Sequence, residues 1–250
     1  MALQEEFEKQ GLWLFRYRGI IPVVVLVIGA VIYLRSITPS SVNLLHQQPY
    51  KFYYELFCMA VGLLGLVIRA YTVGHTPPNT SGRNVKQQVA DTLNTTGIYS
   101  VVRHPLYLGN FFMWLGPALL TANVWFVVIF CMFYWIYYER IMYAEEQFLR
   151  KKFGQQYLDW SVKVPPFIPR GKGFVKSSYR FSWKKVLKKE KNGLVALFLI
   201  YCGFNVGGEL LADSTRFNYI FLGGAAVSFV LYFVLKYLKY RTSVLSENDR

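Results

Sequence analysis

The sequence predicts an all-α fold, a polytopic membrane helix bundle with about six transmembrane helices. Three observations lead to this prediction. Hydrophobic residues make up 54% of the 250-residue chain. They fall in long blocks with few charges, which is typical of helices that cross a bilayer. The basic residues fall almost entirely on one side of such a bundle, as the positive-inside rule expects.

Six apolar blocks are candidate spans. The third and fourth have only about 15 residues each, so they cross a bilayer only with flanking residues or where it is thin. Residues 121–123 alone separate these two blocks, which predicts a tight helical hairpin. The acidic start of the chain lacks the basic region of a cleavable signal peptide. The six blocks are Leu12–Leu34, Phe52–Val73, Leu106–Leu120, Val124–Tyr138, Gly193–Ala212 and Phe217–Leu238.

The formal net charge of +14 is distributed unevenly along the chain. With the N-terminus inside, the basic residues left outside are Arg35, Lys51 and Arg216. Both termini are therefore predicted to be cytoplasmic, in a bacterial inner membrane or, in a eukaryote, the endoplasmic reticulum. The segment Arg140–Lys191 carries 14 of the 28 basic residues, which favours contact with anionic lipid headgroups. Because topology accounts for the charge, no nucleic-acid partner is predicted.

The chain divides into three predicted parts. Residues 1–73 hold two spans, residues 74–170 hold the hairpin and a helix after it, and residues 171–250 hold a basic linker and two spans. The helix after the hairpin is predicted over Glu139–Trp160, because prolines in "VPPFIP" prevent it from continuing. The last two spans are predicted to form an appendage. Their helices are expected to pack on each other through small residues, Gly203, Gly207, Gly223 and Gly224.

The first motif, "RHPLYLG", lies at the start of the third span. Pro105 suits the first turn of a helix, and it keeps His104 in an extended conformation. The unpaired N–H groups of the helix start, together with Arg103 and His104, make a possible anion site at the membrane face. Tyr107 adds a polar tip, and Gly109 allows close approach of a ligand or a backbone. The alternative is that Arg103 only sets topology and His104 only caps the helix.

The second motif, "AEEQFLRKKFGQQYLDW" followed by "VPPFIP", comes after the fourth span. Glu145 and Glu146 lie about two turns beyond the end of that span. Since a hairpin returns the chain to the same membrane face, Glu145 is expected to lie near His104. A glutamate there can meet Arg103 or a cationic ligand. The alternative is that the glutamates only pair with nearby cations, Arg140, Arg150 or Lys151.

These motifs, in this order, resemble the isoprenylcysteine carboxyl methyltransferase superfamily of integral membrane methyltransferases. That superfamily also contains phospholipid methyltransferases and bacterial relatives that methylate lipid phosphates. The resemblance covers about a third of the chain, Leu93–Pro169. It implies an S-adenosylmethionine site at the cytoplasmic face, within a methyltransferase core at residues 74–170. Two departures, the absence of an arginine after the first proline of "VPPFIP" and the two extra spans, leave the substrate open.

The resemblance also implies residue roles. Arg103, Glu145 and Glu146 are expected at the reacting centre. No metal site is predicted, since the three cysteines lack metal-ligand spacing. The residues expected to bind the cofactor are His104, Pro105, Tyr107, Leu108, Gly109, Glu145, Glu146, Tyr157, Pro165 and Ile168.

The implied activity is O-methylation of a phosphate or carboxylate on a lipid or lipidated acceptor, with membrane lipids as partners and the oligomeric state open. Such an oxygen is ionised at neutral pH and needs no general base. Isoprenylcysteine carboxyl methylation and phospholipid N-methylation are alternatives within the family, and an amine acceptor would require deprotonation. Two alternatives come from other classes. Membrane sterol reductases carry a similar HP-x-Y-x-G element and use NADPH, and a non-catalytic lipid-binding protein could keep the fold.

Overall fold

The computed structural model describes residues 2–37, 50–77 and 90–246. Within these ranges the regular elements are helices, so the predicted all-α bundle is confirmed. A short 3₁₀ turn, Ile98–Ser100, precedes the "RHPLYLG" motif. The α-helices are α1 (Leu3–Arg16), α2 (Ile21–Ser36), α3 (Tyr50–Gly74), α4 (Pro105–Leu120), α5 (Val124–Phe153), α6 (Gln155–Ser161), α7 (Trp183–Leu211) and α8 (Tyr219–Arg241).

The helices show a multi-pass membrane protein with fewer full spans than six. Among the described residues, α3, α5, α7 and α8 are long and apolar enough to cross a bilayer. The bent pair of α1 and α2 makes a fifth crossing if it is counted as one span. Helix α4 has 16 residues and is about 24 Å long, less than the roughly 30 Å of a hydrocarbon core. The predicted number of six is therefore an approximation.

The first predicted span, Leu12–Leu34, is wrong as a single helix. Helices α1 and α2 meet at an angle of 70° across residues 17–20. The proline ring of Pro22, in the first turn of α2, would clash with the carbonyl four residues earlier if the helix were continuous. Helix α1 instead packs antiparallel on the far half of α5, with Gly11 against the Arg140 carbonyl and the Tyr137 hydroxyl donating to Leu14 O at 3.2 Å.

The hairpin is confirmed, but the helix after it is continuous with the fourth span. The Asn123 side chain accepts a hydrogen bond from Phe126 N and so caps α5. Helix α5 then runs for 30 residues, about 45 Å, and ends where Gly154 adopts a φ of +53°. The predicted helix Glu139–Trp160 is thus the end of α5 followed by α6. This length carries Glu145 and Glu146 past the apolar part of α5.

Helices α3 and α4 approach each other closely at two glycines. A Cβ added to Gly109 would lie 2.5 Å from Arg69 Cγ and 2.8 Å from Gly65 O. Carbon atoms in ordinary contact are about 3.5–4.0 Å apart. The glycine of "RHPLYLG" therefore serves helix packing in this structure.

Helix α7 belongs to the bundle, so the prediction that the last two spans form an appendage is wrong for α7, whereas α8 packs mainly on α7. Helix α7 packs along α3, and the Tyr201 hydroxyl donates to Cys58 O at 2.5 Å. The expected glycine contact is also largely absent. An added Cβ at Gly203 or Gly223 would have no neighbour within 4 Å, whereas Gly224 faces Phe198 of α7.

A buried polar cluster joins the start of α3 to the end of α7 and the start of α8. Lys51 forms an ion pair with Glu209, and both side chains are at most 10% exposed. The Glu55 carboxylate accepts hydrogen bonds from Asn205 Nδ2 at 3.0 Å and Asn218 Nδ2 at 2.8 Å. This cluster, named the far-face cluster below, lies at the membrane face opposite to the start of α4.

Candidate functional site

The segment before α4 is held in place by the "VPPFIP" turn. Arg103 N donates to Pro165 O at 2.9 Å, and His104 N donates to Pro166 O at 3.1 Å. His104 precedes the first turn of α4 with a φ of −119° and a ψ of 61°, so it lies outside the α region as predicted, but its backbone is not fully extended. The turn thus fixes the backbone from which the first motif projects its side chains.

The two sequence motifs meet through four polar side chains and a histidine. His104 Nε2 lies 2.9 Å from Glu146 Oε1, and Arg103 Nε lies 3.1 Å from the same oxygen. The Tyr107 hydroxyl donates to Glu145 Oε2 at 2.9 Å, and His104 Nδ1 lies 3.7 Å from that oxygen. The predicted proximity of His104 to the glutamates is therefore confirmed. Each glutamate contacts the first motif, and neither pairs with Arg140, which contacts Glu139.

A cavity of about 440 Å³ opens beside these contacts. Its volume lies within the range of small-molecule sites, about 300–1,000 Å³. We distinguish two ends by the residues that line them. The motif end is lined by Tyr99, Arg103, His104, Glu145, Tyr157 and Trp160, and the bilayer end by Arg69, Asn110, Trp114, Tyr138 and Glu190.

The predicted cofactor residues divide into those that line the cavity and those that support it. The lining residues are His104, Pro105, Tyr107, Glu145 and Tyr157, and the predicted catalytic residue Arg103 also lines the cavity. Of the others, Glu146 lies behind His104 and Arg103, and Leu108 is buried in the core. Gly109 faces α3, Pro165 acts through its carbonyl, and Ile168 is 76% exposed.

Tyr157 presents a buried hydroxyl at the motif end. The residue is 3% exposed, and within the described part of the chain its hydroxyl makes no hydrogen bond of normal geometry, although the Glu146 carboxylate lies nearby. Burial, together with the charge of nearby Glu146, raises the pKa of the Tyr157 hydroxyl well above its ordinary value. The hydroxyl therefore stays protonated and can donate a hydrogen bond to a ligand. Trp160, on the same helix, donates from Nε1 to Tyr99 O at 3.1 Å and ties α6 to the segment before α4.

Comparison with known proteins agrees with this geometry. Residues 56–156 match the family described as phospholipid methyltransferase. This stretch of the chain is thus similar to methyltransferases of that family. The matched segment, residues 56–156, holds most of α3, the hairpin and the length of α5 that carries the two glutamates.

Individual relatives match only part of this chain. It is 32% identical over 117 residues to the protein-S-isoprenylcysteine O-methyltransferase of Saccharomyces cerevisiae, covering 45% of this chain and 49% of the relative. It is 40% identical over 78 residues to the enzyme of the same name from Schizosaccharomyces pombe, covering 31% and 33%. The nickel-cobalt-cadmium resistance protein NccN of Alcaligenes xylosoxydans xylosoxydans is 31% identical over 114 residues, covering 45% and 50%. The chain thus spans about half the length, or less, of these relatives. No solved structure matches the chain.

The bilayer end contains residues that sequence reasoning missed. Arg69 of α3 donates from Nε and Nη2 to the Glu190 carboxylate at 2.8 and 2.7 Å, and from Nη1 to Asn110 Oδ1 at 2.6 Å. An arginine inside a predicted span was a usable signal, since such residues are rare and often functional. Glu190 had no such signal, because it lies in a basic run beyond the matched residues 56–156. Only the packing of α7 on α3 brings it to the cavity.

Proposed function

We propose that this protein is an S-adenosylmethionine-dependent membrane methyltransferase. Its acceptor would be an anionic oxygen, of a phosphate or a carboxylate, on a lipid or a lipidated molecule at the cytoplasmic membrane face. The observation that carries the proposal is the cavity at which the "RHPLYLG" segment and the two glutamates of α5 meet. The basic residues on the side of α4's start support the cytoplasmic orientation.

The residues of the motif end fit S-adenosylmethionine. This cofactor carries a sulfonium, an ammonium and a carboxylate on a nucleoside. The aromatic rings of Tyr99, Tyr107 and Trp160 suit a cation, and the Glu145 carboxylate adds an opposite charge. The Tyr157 hydroxyl, which lacks a partner among the described residues, can donate to an oxygen of the ligand. A buried donor of this kind is costly unless a ligand or water satisfies it.

The chemistry requires positioning more than proton transfer. When bound, S-adenosylmethionine supplies a methyl carbon to which the acceptor oxygen adds its electron pair, while the pair of the broken C–S bond remains on sulfur as a thioether. An ionised oxygen loses no proton in this exchange, so His104 need not act as a base. The protein would hold both partners in line and exclude water, which for well-oriented reactants can lower a barrier by roughly 7–11 kcal/mol. The contacts of His104 and Arg103 with Glu146 hold the wall of the cavity in place.

Two acceptor chemistries remain within the proposal. The names of the yeast relatives support a prenylated cysteine carboxylate. The phospholipid methyltransferase match supports a lipid headgroup. Both acceptors are carried by an apolar chain in the bilayer, and this is consistent with a cavity whose deeper end reaches Trp114 and Asn110 of the membrane helix α4.

The test is transfer of label from methyl-labelled S-adenosylmethionine into membranes that contain the protein, followed by separation of lipid from protein. Label in the lipid fraction would identify a lipid methyltransferase, and the labelled headgroup would separate O- from N-methylation. Label in small lipidated proteins would identify prenylcysteine ester formation. The absence of label from both fractions, together with binding of NADPH, would overturn the proposal in favour of a reductase.

A further inference from the structure

The bilayer end of the cavity holds an ion pair that the proposed reaction does not yet use. Arg69 on α3 and Glu190 on α7 face each other with side chains that are 20% and 7% exposed. Both line the cavity, together with Asn110, Trp114 and Tyr138. Asn110 joins this pair to the aromatic wall, because its Nδ2 lies 3.5 Å from the Tyr138 hydroxyl.

Stability alone is a weak explanation for this pair. Removing two charges from water is expensive, and buried ion pairs are often replaced by apolar residues without loss of stability. A charged side chain inside a membrane segment more often marks a binding or transport function. The Arg69 guanidinium plane is also held in one orientation. The Glu190 carboxylate accepts from Nε and Nη2, and the Asn110 amide oxygen accepts from Nη1.

The orientation leaves part of the guanidinium available for a ligand. An arginine carries five N–H donors, and the contacts with Glu190 and Asn110 use three of them. Within the described residues, two donors are thus left on a group that lines the cavity. An anionic oxygen could accept from these donors while Glu190 stays in place.

Arg103, the arginine that the resemblance places at the reacting centre, has different contacts. Its Nη1 donates to Ser161 O at 3.0 Å, and its Nε lies beside Glu146. These contacts brace the motif end. Asn110 lies five residues beyond Pro105 on α4, about 8 Å farther into the membrane. The Arg69 guanidinium, which is bound to Asn110, therefore lies closer than Arg103 to a group that enters from the bilayer.

We propose that Arg69 binds the anionic group of the methyl acceptor and that Glu190 is its positioning residue. The inference rests on the proposed function and deepens it, because it assigns the acceptor to the bilayer end and the cofactor to the motif end. Helix α7 then completes the acceptor site, although it lies outside the segment shared with the superfamily. Arg69 recognises either a phosphate or a carboxylate through charge-assisted hydrogen bonds.

The first test compares Arg69→Lys and Glu190→Gln with the wild-type protein in detergent or nanodiscs. Methyl transfer is measured with two acceptor probes, N-acetyl-S-farnesylcysteine and vesicles that contain phosphatidic acid. Binding of S-adenosylmethionine is measured separately by calorimetry. We expect both variants to raise the KM for the active probe about tenfold or more, while the Kd for S-adenosylmethionine changes less than about twofold. An unchanged KM in both variants would overturn the inference and leave the proposed function intact.

A matched ion pair on the same two helices controls for structural effects. Lys51 of α3 and Glu209 of α7 are buried to a similar degree, but they lie in the far-face cluster. Lys51 is 18 residues from Arg69 along α3, about 27 Å away. One double variant carries Arg69→Met and Glu190→Met, and the control double variant carries Lys51→Met and Glu209→Met. Thermal unfolding reports on the stability of each double variant.

The two double variants distinguish a role of the Arg69–Glu190 pair in acceptor binding from a role in helix packing. We expect the Arg69 and Glu190 double variant to lose acceptor affinity and keep S-adenosylmethionine binding, while the control pair keeps both. Equal loss of acceptor affinity in both double variants would show that helix packing, and not the guanidinium, controls the site. No transfer to either probe or to native membranes by the wild-type protein would overturn the proposed function, and the inference with it.

Discussion

The close approach of α3 and α4 predicts that Gly109→Ala destabilises the protein by a packing effect. The added Cβ would lie 2.5 Å from Arg69 Cγ and 2.8 Å from Gly65 O. Ordinary contacts are about 3.5–4.0 Å, so the helices must separate by roughly 1 Å or Arg69 must move. Because Gly65 O is a backbone atom, the clash with it cannot be relieved by rotation of a side chain.

The expected magnitude follows from two opposing effects. Alanine favours a helix over glycine by about 1 kcal/mol. Inserting a group into a tightly packed interior costs typically about 1–3 kcal/mol, and more where backbone must move. We therefore expect a net loss near 2 kcal/mol, which lowers the Tm of a chain of this size by about 4–8 °C. The assay is thermal unfolding in detergent micelles, followed by the loss of helical circular dichroism.

A second glycine supplies the control. A Cβ added to Gly203 on α7 would have no neighbour within 4 Å, so Gly203→Ala has the helix-propensity gain without the clash. Its Tm should equal or exceed that of the wild-type protein. If Gly109→Ala has the same Tm as Gly203→Ala, the close contact of α3 with α4 is refuted. If Gly109→Ala keeps its Tm and loses S-adenosylmethionine binding, the glycine lines the cofactor site instead.

Three further substitutions test the site, and a fourth, Tyr201→Phe, serves as a control. His104→Ala should abolish S-adenosylmethionine binding in a folded protein, because it removes a wall of the motif end; wild-type affinity in calorimetry would leave the histidine with a structural role only, through its contact with Glu146. Arg103→Lys should raise the acceptor KM less than Arg69→Lys does, since Arg103 is committed to the motif contacts, and the reverse order in the labelling assay would restore Arg103 as the acceptor ligand. Tyr157→Phe should weaken S-adenosylmethionine binding about five- to tenfold without lowering the Tm, because its hydroxyl has no partner to lose among the described residues. Tyr201→Phe, which removes the bond to Cys58 O, should lower the Tm and leave cofactor affinity unchanged, so equal effects on binding would contradict the assignment.

The meeting of the two motifs was predictable because a short hairpin has few geometries. Residues 121–123 force α4 and α5 to be antiparallel neighbours, which places the start of one beside the end of the other. From there, His104 and the two glutamates could be expected within contact distance, and they are. The roles of these residues in binding and catalysis stay predictions, as does the division of the chain at residues 73 and 170.

Other features depended on information that local patterns carry poorly. Pro22 was a local signal for the bend between α1 and α2. The apolar run of the sequence continues across the bend, however, so hydropathy predicted a single span. The continuity of α5 was hidden because its residues turn polar where the helix leaves the membrane, although the backbone stays helical. The contact of Arg69 with Glu190 joins residues 121 positions apart, and it depends on which helix α7 packs against. No spacing rule within one helix could supply that neighbour.

The far-face cluster has a consequence for how the chain is made. Lys51 and its partner Glu209 are separated by 158 residues. At roughly 5–20 residues per second, a ribosome needs about 8–30 s to synthesise the intervening segment. During that interval the start of α3 carries Lys51 and Glu55 without Glu209, Asn205 or Asn218. The early helices therefore lack these partners until α7 and α8 are made, and a cell that halts synthesis in this window would present its membrane quality control with two opposite charges on α3 whose hydrogen-bond partners from later in the chain are missing.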